Sequence, residues 1–470
     1  MAKHAADCRS AELRVPLALF VAACAALWIL PAALAQQIAA PLPLTLQQAV
    51  KIALEKNPLR KAAIADARVS FADIREARSV LLPQVTFSET ATRGNDPVYV
   101  FGSKLRQQRF TTADFALNKL NTPSPFGNFS TRFGGTWNLF DSFASWHGMN
   151  RAKRMNEAAG HQLERTEQEI VFRVIDAYYA ALLANKQLEL AEQAMKTSQS
   201  IVDRSQVRFD SGLVVESDLL TAKVRAAARQ QELIRDRNNL DLARAELDNA
   251  MGVATESLFQ PTEPLTERTL PVRDLLEVEK LALTNRPDLK RIQLEESAQR
   301  QSVAMAKSSF GPRINAFAGW EMDNPTFVAG GGGNNWLGGI EVQFDLFQGG
   351  AKRAELARQR ALQERVTAMK QVASDAVRLE VRRAYYNLDS ARREVEVARL
   401  AIGQAQDSLR IDQDRYEAGL TTVTDLLSAE EAALRSQTNY WEAVYRFHTS
   451  YASVELASGT LNLQSPVVMP

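Results

Sequence analysis

Apolar and small residues recur at every seventh position along two long stretches of this chain. In the first stretch, from about 148 to 208, two rows carry the repeat: Ala181, Leu188, Met195, Val202 and Phe209, with Ala184, Ala191, Ser198 and Ser205. In the second stretch the corresponding rows are Leu388, Val395, Ile402, Leu409 and Tyr416, with Ala391, Ala398 and Ala405. Heptad spacing predicts helices that pack as coiled coils. Because about 60 helical residues rise about 1.5 Å each, the first helix has a reach of about 90 Å.

Each long helix is followed by a Gly-Leu interruption and a second helix with heptad spacing. The interruptions read "RFDSGLVVESDLL" and "RYEAGLTTVTDLL", and the returning helices are predicted at 217–251 and 424–458. Opening helices are predicted at 44–82 and 274–310, ending before the prolines that follow them. One opening and one returning helix, stacked end to end, match the reach of a long helix. The pattern therefore predicts a wall of alternating continuous and stacked helices.

Four short segments alternate between apolar and polar residues, the pattern of strands with one apolar face. The apolar or small positions are Val85, Phe87 and Ala91; Phe129, Phe133, Trp137 and Leu139; Ile314, Ala316, Ala318 and Trp320; and Trp336, Ile340, Val342, Phe344 and Leu346. Such segments are typical of outer-membrane barrels with a wet interior, although an ordinary half-buried sheet gives the same alternation. Bacterial barrels start at about eight strands, so a barrel here has to be shared between copies of the chain.

The chain repeats itself, and the spacing of the two copies locates an insertion. Pro58 returns as Pro287, 229 residues later, whereas Gly212 returns as Gly419, 207 residues later. The 22-residue difference is assigned to the first hairpin connection, 94–128, which is longer than its counterpart 323–335. The predicted organisation is a signal peptide at 1–35, a first repeat at 36–252 with its β-hairpin at 83–141, an equatorial linker at 253–274, a second repeat at 275–459 with its β-hairpin at 312–347, and a C-terminal tail at 460–470.

The first 35 residues have the anatomy of an export signal, with an apolar run that ends in the small-x-small site Ala33-Leu34-Ala35. A lipidated Cys24 is the alternative, although the sequence stays apolar after that residue. Cys8 and Cys24 are the two cysteines of the chain, so the mature protein has no disulfide framework or cysteine metal site. After the signal, no apolar run approaches the about 18 residues that a membrane-spanning helix needs.

The charge balance does not indicate a nucleic-acid partner. Removal of residues 1–35 takes three basic and two acidic side chains from totals of 56 and 55, which leaves 53 of each sign. A formally neutral chain lacks the basic excess of a nucleic-acid-binding protein. His147, His161 and His448 have no metal-ligand spacing, and no nucleophile motif or phosphate loop is present. The sequence therefore predicts neither an enzyme nor a cofactor.

The duplicated order of these signals resembles the TolC-like outer-membrane efflux proteins over essentially the whole mature chain. The specific features are the repeated helix ending in "NP" or "RP", the strand ending in "LFD" or "LFQGG", and the repeated Gly-Leu turn followed by Asp-Leu-Leu. The resemblance implies an internally duplicated α+β membrane protein. It implies a homotrimer in which four strands from each chain form one twelve-stranded barrel in outer-membrane lipid, above a long α-helical coiled-coil tunnel through the periplasm.

The same resemblance implies where partners bind. The Gly-Leu turns become hairpin tips at the periplasmic mouth of the tunnel, and Gly212, Leu213, Gly419 and Leu420 are expected to contact a periplasmic adaptor. The adaptor is in turn joined to an inner-membrane pump of the RND, ABC or MFS type. An exposed leucine with no core to enter is physically suited to such a contact, whereas the plainer interpretation of each glycine is an ordinary loop residue.

Three residues match the positions with which the family closes its mouth. Tyr416 and Asp218 match bonding positions between neighbouring coils, and Asp425 matches an aspartate that lines the constriction. Thr421 occupies the position of the family's gate arginine, and Ser428 that of a second ring acid. Aspartates at these positions are also expected to cap the helices that follow the turns, and both roles are compatible.

The sequence therefore predicts a passive exit duct of a tripartite efflux or type I secretion system. It would lie in the outer membrane, with a tunnel extending into the periplasm. The alternative is an exported periplasmic coiled-coil scaffold without a pore, which would not need four amphipathic strands.

Overall fold

A computed structural model describes residues 42–255, 259–327 and 333–469. The predicted signal peptide and Cys24 lie outside the described residues. In chain order the elements are β1 (Leu42–Leu44), α1 (Leu46–Lys56), α2 (Pro58–Ser79), β2 (Gln84–Gly94), α3 (Pro97–Arg106), a 3-10 turn (Thr112–Phe115), α4 (Leu117–Asn121), β3 (Phe126–Phe140), α5 (Ala144–Asp210), α6 (Glu216–Met251), β4 (Phe259–Pro261), α7 (Leu275–Asn285), α8 (Pro287–Ser308), β5 (Arg313–Asn324), β6 (Gly333–Gln343), α9 (Ala351–Glu417) and α10 (Val423–Ser458).

The long helices have the same lengths in both repeats. Helices α5 and α9 contain 67 residues each, and α6 and α10 contain 36 each. Both ends of α9 lie 207 residues after the corresponding ends of α5, and the same holds for α10 and α6. At about 1.5 Å per residue, each long helix spans about 100 Å. Helix α5 packs along α6 and α9 packs along α10, so each repeat contains one antiparallel coiled coil.

The opening helix of each repeat is broken, which corrects the prediction of continuous helices at 44–82 and 274–310. Helix α1 ends before Asn57 and α2 begins at Pro58; α7 ends before Arg286 and α8 begins at Pro287. Proline disfavours the helical conformation of the residue before it, and Asn57 is accordingly extended, with φ −59° and ψ 127°. Proline is tolerated at the first position of a helix because its missing N–H has no intrahelical partner there. The proline therefore ends one helix and starts the next.

The broken helices meet the returning helices at two joints. Helix α6 ends at Gly252 (φ +71°) against Asn57, and α10 ends at Gly459 (φ +72°) against Arg286. A Cβ on Gly252 would lie 2.6 Å from Asn57 Cα, and one on Gly459 would lie 2.9 Å from Arg286 Cα. Helices α2 and α6 both pack on α5, and α8 and α10 both pack on α9. Each long helix therefore lies beside a stacked pair, as the helix lengths predict.

The four predicted strands form one antiparallel sheet in the order β2-β3-β5-β6. Phe133 pairs with Phe87 on one side and with Trp320 on the other, and Trp320 pairs with Trp336. The Phe87 and Phe133 rings lie 5.2 Å apart, and those of Phe133 and Trp320 lie 6.0 Å apart. The apolar face is uncovered in the single chain, and Trp336 is 81% exposed. Strand β6 ends at Gln343, so Phe344 and Leu346, which were predicted to continue it, lie beyond its end.

The main hydrophobic core lies at the middle of the long helices. It joins α1 to the central turns of α5 and α9, the C-terminal ends of α6 and α10, and the tail. Strand β1 pairs in parallel with β4 of the linker, and the Tyr178 hydroxyl donates to the Leu44 carbonyl at 3.0 Å. Within the ranges that the structure describes, no helix contains a stretch apolar enough to cross a membrane.

Candidate functional site

Both Gly-Leu turns end their helices in the same way. Gly212 and Gly419 have φ of +71° and +73°, a left-handed conformation that glycine adopts without steric cost. The Leu213 N–H donates to the Arg208 carbonyl at 2.9 Å, and the Leu420 N–H donates to the Arg415 carbonyl at 2.8 Å. This is the six-to-one bond of the Schellman motif. The motif leaves both leucine side chains in solvent, where Leu213 is 73% and Leu420 is 71% exposed.

Tyr416 lies inside the tip of the chain. It is 4% exposed and belongs to a small apolar cluster. The other buried members of this cluster are Ile201, Ala222, Val423, Leu426 and Leu427. The Tyr416 hydroxyl lies 3.4 Å from the Ser205 Oγ of α5. Tyr416 therefore links the second coiled coil to the first within one chain.

Arg208, which the sequence analysis did not single out, holds the end of α9. Its two terminal nitrogens donate to the carbonyls of Tyr416 and Glu417, each at 2.9 Å. The guanidinium carbon lies 4.7 Å from the centroid of the Tyr416 ring, and Arg204 forms an ion pair with Glu417 at 3.2 Å. A cation at a helix C-terminus satisfies free carbonyls and interacts favourably with the helix dipole. The signal available in the sequence was an arginine four residues before the first tip glycine.

The two aspartates have different surroundings. Asp425 accepts hydrogen bonds from the Thr421 and Thr422 hydroxyls at 2.9 and 2.7 Å, and Thr422 and Asp425 form the capping box of α10. The bonds from Thr422 and then Thr421 hold the pKa of Asp425 below its usual value, so this carboxylate is ionised. Asp218 lies in the first turn of α6, after an N-cap valine, Val215, that makes no capping bond.

The structure does not bring Asp218 and Tyr416 together within one chain. In the part of the chain that the structure describes, the Asp218 carboxylate has no hydrogen-bond or ion-pair partner, whereas Tyr416 bonds with Ser205. Thr421, which the resemblance aligns with a gate arginine, bonds to Asp425, and the Ser428 hydroxyl donates to the Thr424 carbonyl at 2.8 Å. Arg208 supplies a guanidinium at Tyr416, from the neighbouring coil rather than from position 421.

The buried histidine away from the tips has structural partners. His448 is fully buried, stacks on Tyr179 with 4.4 Å between ring centroids, and bonds to the Thr266 carbonyl at 2.9 Å. Burial lowers the pKa of His448 to about 4, so it is neutral at pH 7. Among the described residues, no group of three or more His, Cys, Asp or Glu side chains is arranged to hold a metal ion. The tips combine exposed leucines with carboxylates, an arrangement suited to protein contact and to an anionic ring.

Comparison with known proteins places this arrangement in a family. The model of the family described as "Outer membrane efflux protein" matches residues 49–253 and 278–460. The alkaline protease secretion protein AprF of Pseudomonas aeruginosa is 24% identical over 87% of this chain and 83% of its own. The outer membrane protein TolC of Escherichia coli K12 is 24% identical over 89% of this chain and 83% of its own. The outer membrane protein VceC of Vibrio cholerae has the same fold, with a TM-score of 0.74, 19% identity, and coverage of 88% and 96% of the two chains.

Proposed function

The chain belongs to the outer membrane efflux protein family, and from that premise we propose that it is the outer-membrane exit duct of an efflux or type I secretion system. The family consists of outer-membrane channels, which are not enzymes, and this chain is an outer-membrane protein with a periplasmic tunnel. The relatives named above include a protease secretion protein and TolC. Cargo passes through the duct passively, driven by its partners.

The sheet supports a barrel that is shared by three chains. Strands β2 and β6 lie at its two edges and run in opposite directions, so β6 of one copy can pair antiparallel with β2 of the next. Three copies of four strands give twelve, an even number of antiparallel strands, as closed bacterial barrels require. The uncovered face with Phe87, Phe133 and Trp336 would meet the lipid. Closure removes the exposed edges that a lone sheet would present.

The tips support docking of a periplasmic adaptor that is joined to an RND, ABC or MFS pump. Leu213 and Leu420 project from turns fixed by Gly212 and Gly419, and they have no core to enter. Exposed apolar side chains on a fixed scaffold are typical of protein contact sites. The adaptor's apolar side chains would cover these leucines when the system assembles.

Asp218, Tyr416 and Asp425 form the proposed gate at the mouth of the tunnel. In a trimer, two aspartates from each chain place six carboxylates around the entrance. Because Tyr416 is committed to Ser205 and Arg208 within its own chain, bonds to neighbouring subunits fall to Asp218, whose carboxylate is free to accept them. Asp425, held by its threonines, would stay ionised and repel anionic solutes at the entrance.

One observation carries the proposal: a sheet with an uncovered aromatic face belongs to the same chain as two long helices of about 100 Å, each packed in a coiled coil. A periplasmic scaffold without a pore would need the coils but not that sheet. Single-channel recording in a planar lipid bilayer separates the two functions. Discrete conductance steps from purified trimer are expected, and a chain that inserts without conducting would favour the scaffold.

Adaptor docking is tested with single cysteines at the tips. Leu213→Cys and Leu420→Cys should each cross-link to a periplasmic adaptor in intact cells. Lys153→Cys is the matched control, since it is exposed on α5 about 85 Å from the tip and should capture no adaptor. Equal capture at all three positions would contradict docking at the tips.

A further inference from the structure

Residues 95–125, here called the insertion, connect the strands of the first hairpin and fold back onto the sheet. They contain α3, a 3-10 turn and α4, so the predicted long loop is an ordered helical segment. The Gln107 side chain donates to Asn128 Oδ1 at 2.7 Å and to the Gly127 carbonyl at 3.0 Å. Arg106 lies 3.6 Å from the Glu321 carboxylate of β5. The insertion is therefore bound to β3, which follows it in the chain, and to β5 of the second hairpin.

The contacts of the insertion identify the face of the sheet on which it lies. Asn128 and Glu321 point to the polar face, because their positions alternate with those of Phe133 and Trp320 on the aromatic face. Asn128 in turn donates to Asp323 Oδ1 at 2.6 Å, on the same polar face. In a barrel whose aromatic face meets the lipid, the polar face lines the bore. The insertion consequently lies over the inside of the barrel.

The second hairpin provides the contrast. The described start of its connection, 325–327, includes Phe327, whose ring centroid lies 6.3 Å from that of Phe129. Phe129 is on the aromatic face, together with Phe133. The described start of the second connection therefore lies toward the face opposite to the one that the insertion covers.

The insertion is anchored by buried polar groups and braced internally. Asp323 is 0%, Gln107 4% and Asn128 6% exposed. Buried polar groups that satisfy one another specify one arrangement, because any other leaves them unpaired. A Cβ on Gly333 would overlap the Arg106 carbonyl oxygen, so the insertion also touches the first residue of β6.

Contacts within the insertion keep its helices together. Lys104 and Asp114 form an ion pair at 2.7 Å. The Phe110 ring contacts those of Phe101 and Phe115, with centroids 4.8 and 5.1 Å away. The insertion is thus a small folded unit rather than a tether.

We propose that the insertion forms a constriction at the outer mouth of the channel, at the end opposite the periplasmic tips. The proposal rests on the shared twelve-stranded barrel proposed above. Strands about 4.8 Å apart and tilted by about 40° give such a barrel a backbone diameter of about 24 Å. A helix with its side chains is about 10 to 12 Å wide, so three insertions occupy most of that opening. The constriction passes small or extended cargo and keeps bulky hydrophilic solutes outside.

The test measures access from outside to a thiol in the bore below the insertion. Thr136 lies on the polar face of β3. Both natural cysteines precede the predicted cleavage site, so Thr136→Cys introduces a single thiol into the mature chain. Intact cells are treated with a small charged thiol reagent or with a maleimide coupled to a polyethylene glycol chain of about 5 kDa. Trp137→Cys, on the aromatic face, is the control and should react with neither reagent.

Two variants open the constriction. In one, residues 97–121 are replaced by a short Gly-Ser linker; in the other, Arg106→Ala and Gln107→Ala release the insertion while keeping its length. The small reagent should label Thr136→Cys at similar rates in all backgrounds. The bulky maleimide should label Thr136→Cys slowly when the insertion is intact, and at least about tenfold faster in either variant. If the deletion variant does not assemble, the variant with Arg106→Ala and Gln107→Ala supplies the result.

The outcomes separate this inference from the proposed function. Bulky labelling of the parent at the rate of the two variants would overturn the constriction and leave the channel intact. No labelling of Thr136→Cys by the small reagent in any background would contradict the water-filled bore itself, and with it the constriction.

Discussion

The two joints at the middle of the molecule have the same backbone geometry and different chemistry. At the first joint, the Asn57 side chain donates to the Ala250 carbonyl at 2.8 Å and accepts from the Leu59 N–H at 2.9 Å. It thereby connects the last turn of α6 to the first turn of α2. At the second joint, Arg286 donates to the Ala457 carbonyl at 3.2 Å. Both carbonyls lie two residues before the glycine that ends the returning helix.

The difference lies in the charge that each joint buries. Asn57 is neutral, whereas Arg286 is 3% exposed and forms ion pairs with Asp288 and Glu380, each at 2.7 Å. Burial alone would lower the pKa of Arg286, but the hydrogen bonds that it donates to these carboxylates, and their charges, outweigh burial and raise the pKa. The repeat therefore preserves a donor and a glycine at each joint, while the identity of the donor is free to change. The second joint depends on a charge network that the first does not have.

Removal of the buried cation should have the largest effect. Arg286→Ala takes the nearest cation from two carboxylates and leaves Arg165, 4.0 Å from Glu380, beside them. It is expected to destabilise the protein by about 3 kcal/mol, near the lower end for a buried pair because Asp288 and Glu380 keep partial contact with water. The readout is the midpoint of thermal unfolding of detergent-solubilised protein, followed by helical circular dichroism. The control is Arg300→Ala on α8, the helix that follows Arg286. The ion pair of Arg300 with Glu296 is solvent-exposed on the arginine side, and its loss should cost under about 1 kcal/mol. Equal losses would remove the distinction between the joints.

Added bulk at the glycines should have the next largest effect. Gly252→Ala places a Cβ 2.6 Å from the backbone of Asn57 at φ +71°, and overpacking with left-handed strain should cost about 2 to 3 kcal/mol. Gly459→Ala should behave alike, because its φ and clash distance are similar. Gly160→Ala, in α5 with nothing within 4 Å of its Cβ, should instead stabilise the protein by about 0.5 kcal/mol. Unchanged thermal midpoints in both joint variants would show that the stacked helices are not in tight contact.

The second joint should also respond to pH. Burial raises the pKa of Glu455 to about 7 from an ordinary value of 4.5, against the opposing effects of a bond from Ser465 and the charge of Arg273. Because the folded state binds this proton more tightly, the stabilisation is complete below pH 4.5 and is lost as pH rises through 7. The stability difference between wild type and Glu455→Gln should therefore fall by about 2 kcal/mol between pH 4.5 and pH 8. This is less than the about 3 kcal/mol that the full change in pKa corresponds to, because the carboxyl is partly exposed and water screens it.

Taking the difference between the two proteins removes the contribution of His448, whose pH dependence opposes that of Glu455. His448, with a pKa of about 4, loses stabilisation as pH falls below 6.5, but it is present in both proteins and cancels. A difference that stays constant from pH 4.5 to pH 8 would show that folding does not raise the pKa of Glu455.

The smallest expected effect is at the neutral joint. Asn57→Ala removes one helix cap and one bond to the Ala250 carbonyl, a loss of about 1 to 1.5 kcal/mol. The midpoint of thermal unfolding of this variant should be higher than that of Arg286→Ala. The reverse order would mean that the neutral joint supports the fold more strongly than the charged one.

The sequence predicted those features that repeat or that follow a local period. Heptad rows predicted the coiled coils, alternation predicted four strands, and the 207-residue shift is the shift between the ends of α5 and α9. The motif "NP" indicates a helix end at Pro58, yet 44–82 was assigned as one helix, because proline is compatible both with the end of one helix and with the first turn of another. Local pattern does not distinguish these cases, since the joint is completed by Gly252, far away in sequence.

The side-chain contacts at the tip were predicted less completely. Tyr416, Asp218 and Asp425 were selected by resemblance, and the structure places Asp425 in a capping box and Tyr416 in a buried cluster. Arg208 was missed because its partners are backbone carbonyls of another helix, which leave no residue pattern. The ordered insertion was read as a loop because its fixing contacts, such as Gln107 with Asn128, are tertiary.

The hydrogen bonds from Arg208 to the last carbonyls of α9 restrict how the two coiled coils of one chain can move relative to each other. Since the ends of both coils are tied inside one chain, each chain of the proposed trimer would present its two hairpins as one rigid unit. If the mouth widens, the paired hairpins of each chain would then move apart as rigid units, and the interfaces between subunits would shift. Nitroxide labels at Val207 and Ile411, one on each coil, should report one narrow distance that is unaltered when the duct opens, whereas a distance that broadens or shifts would place the hinge within the subunit.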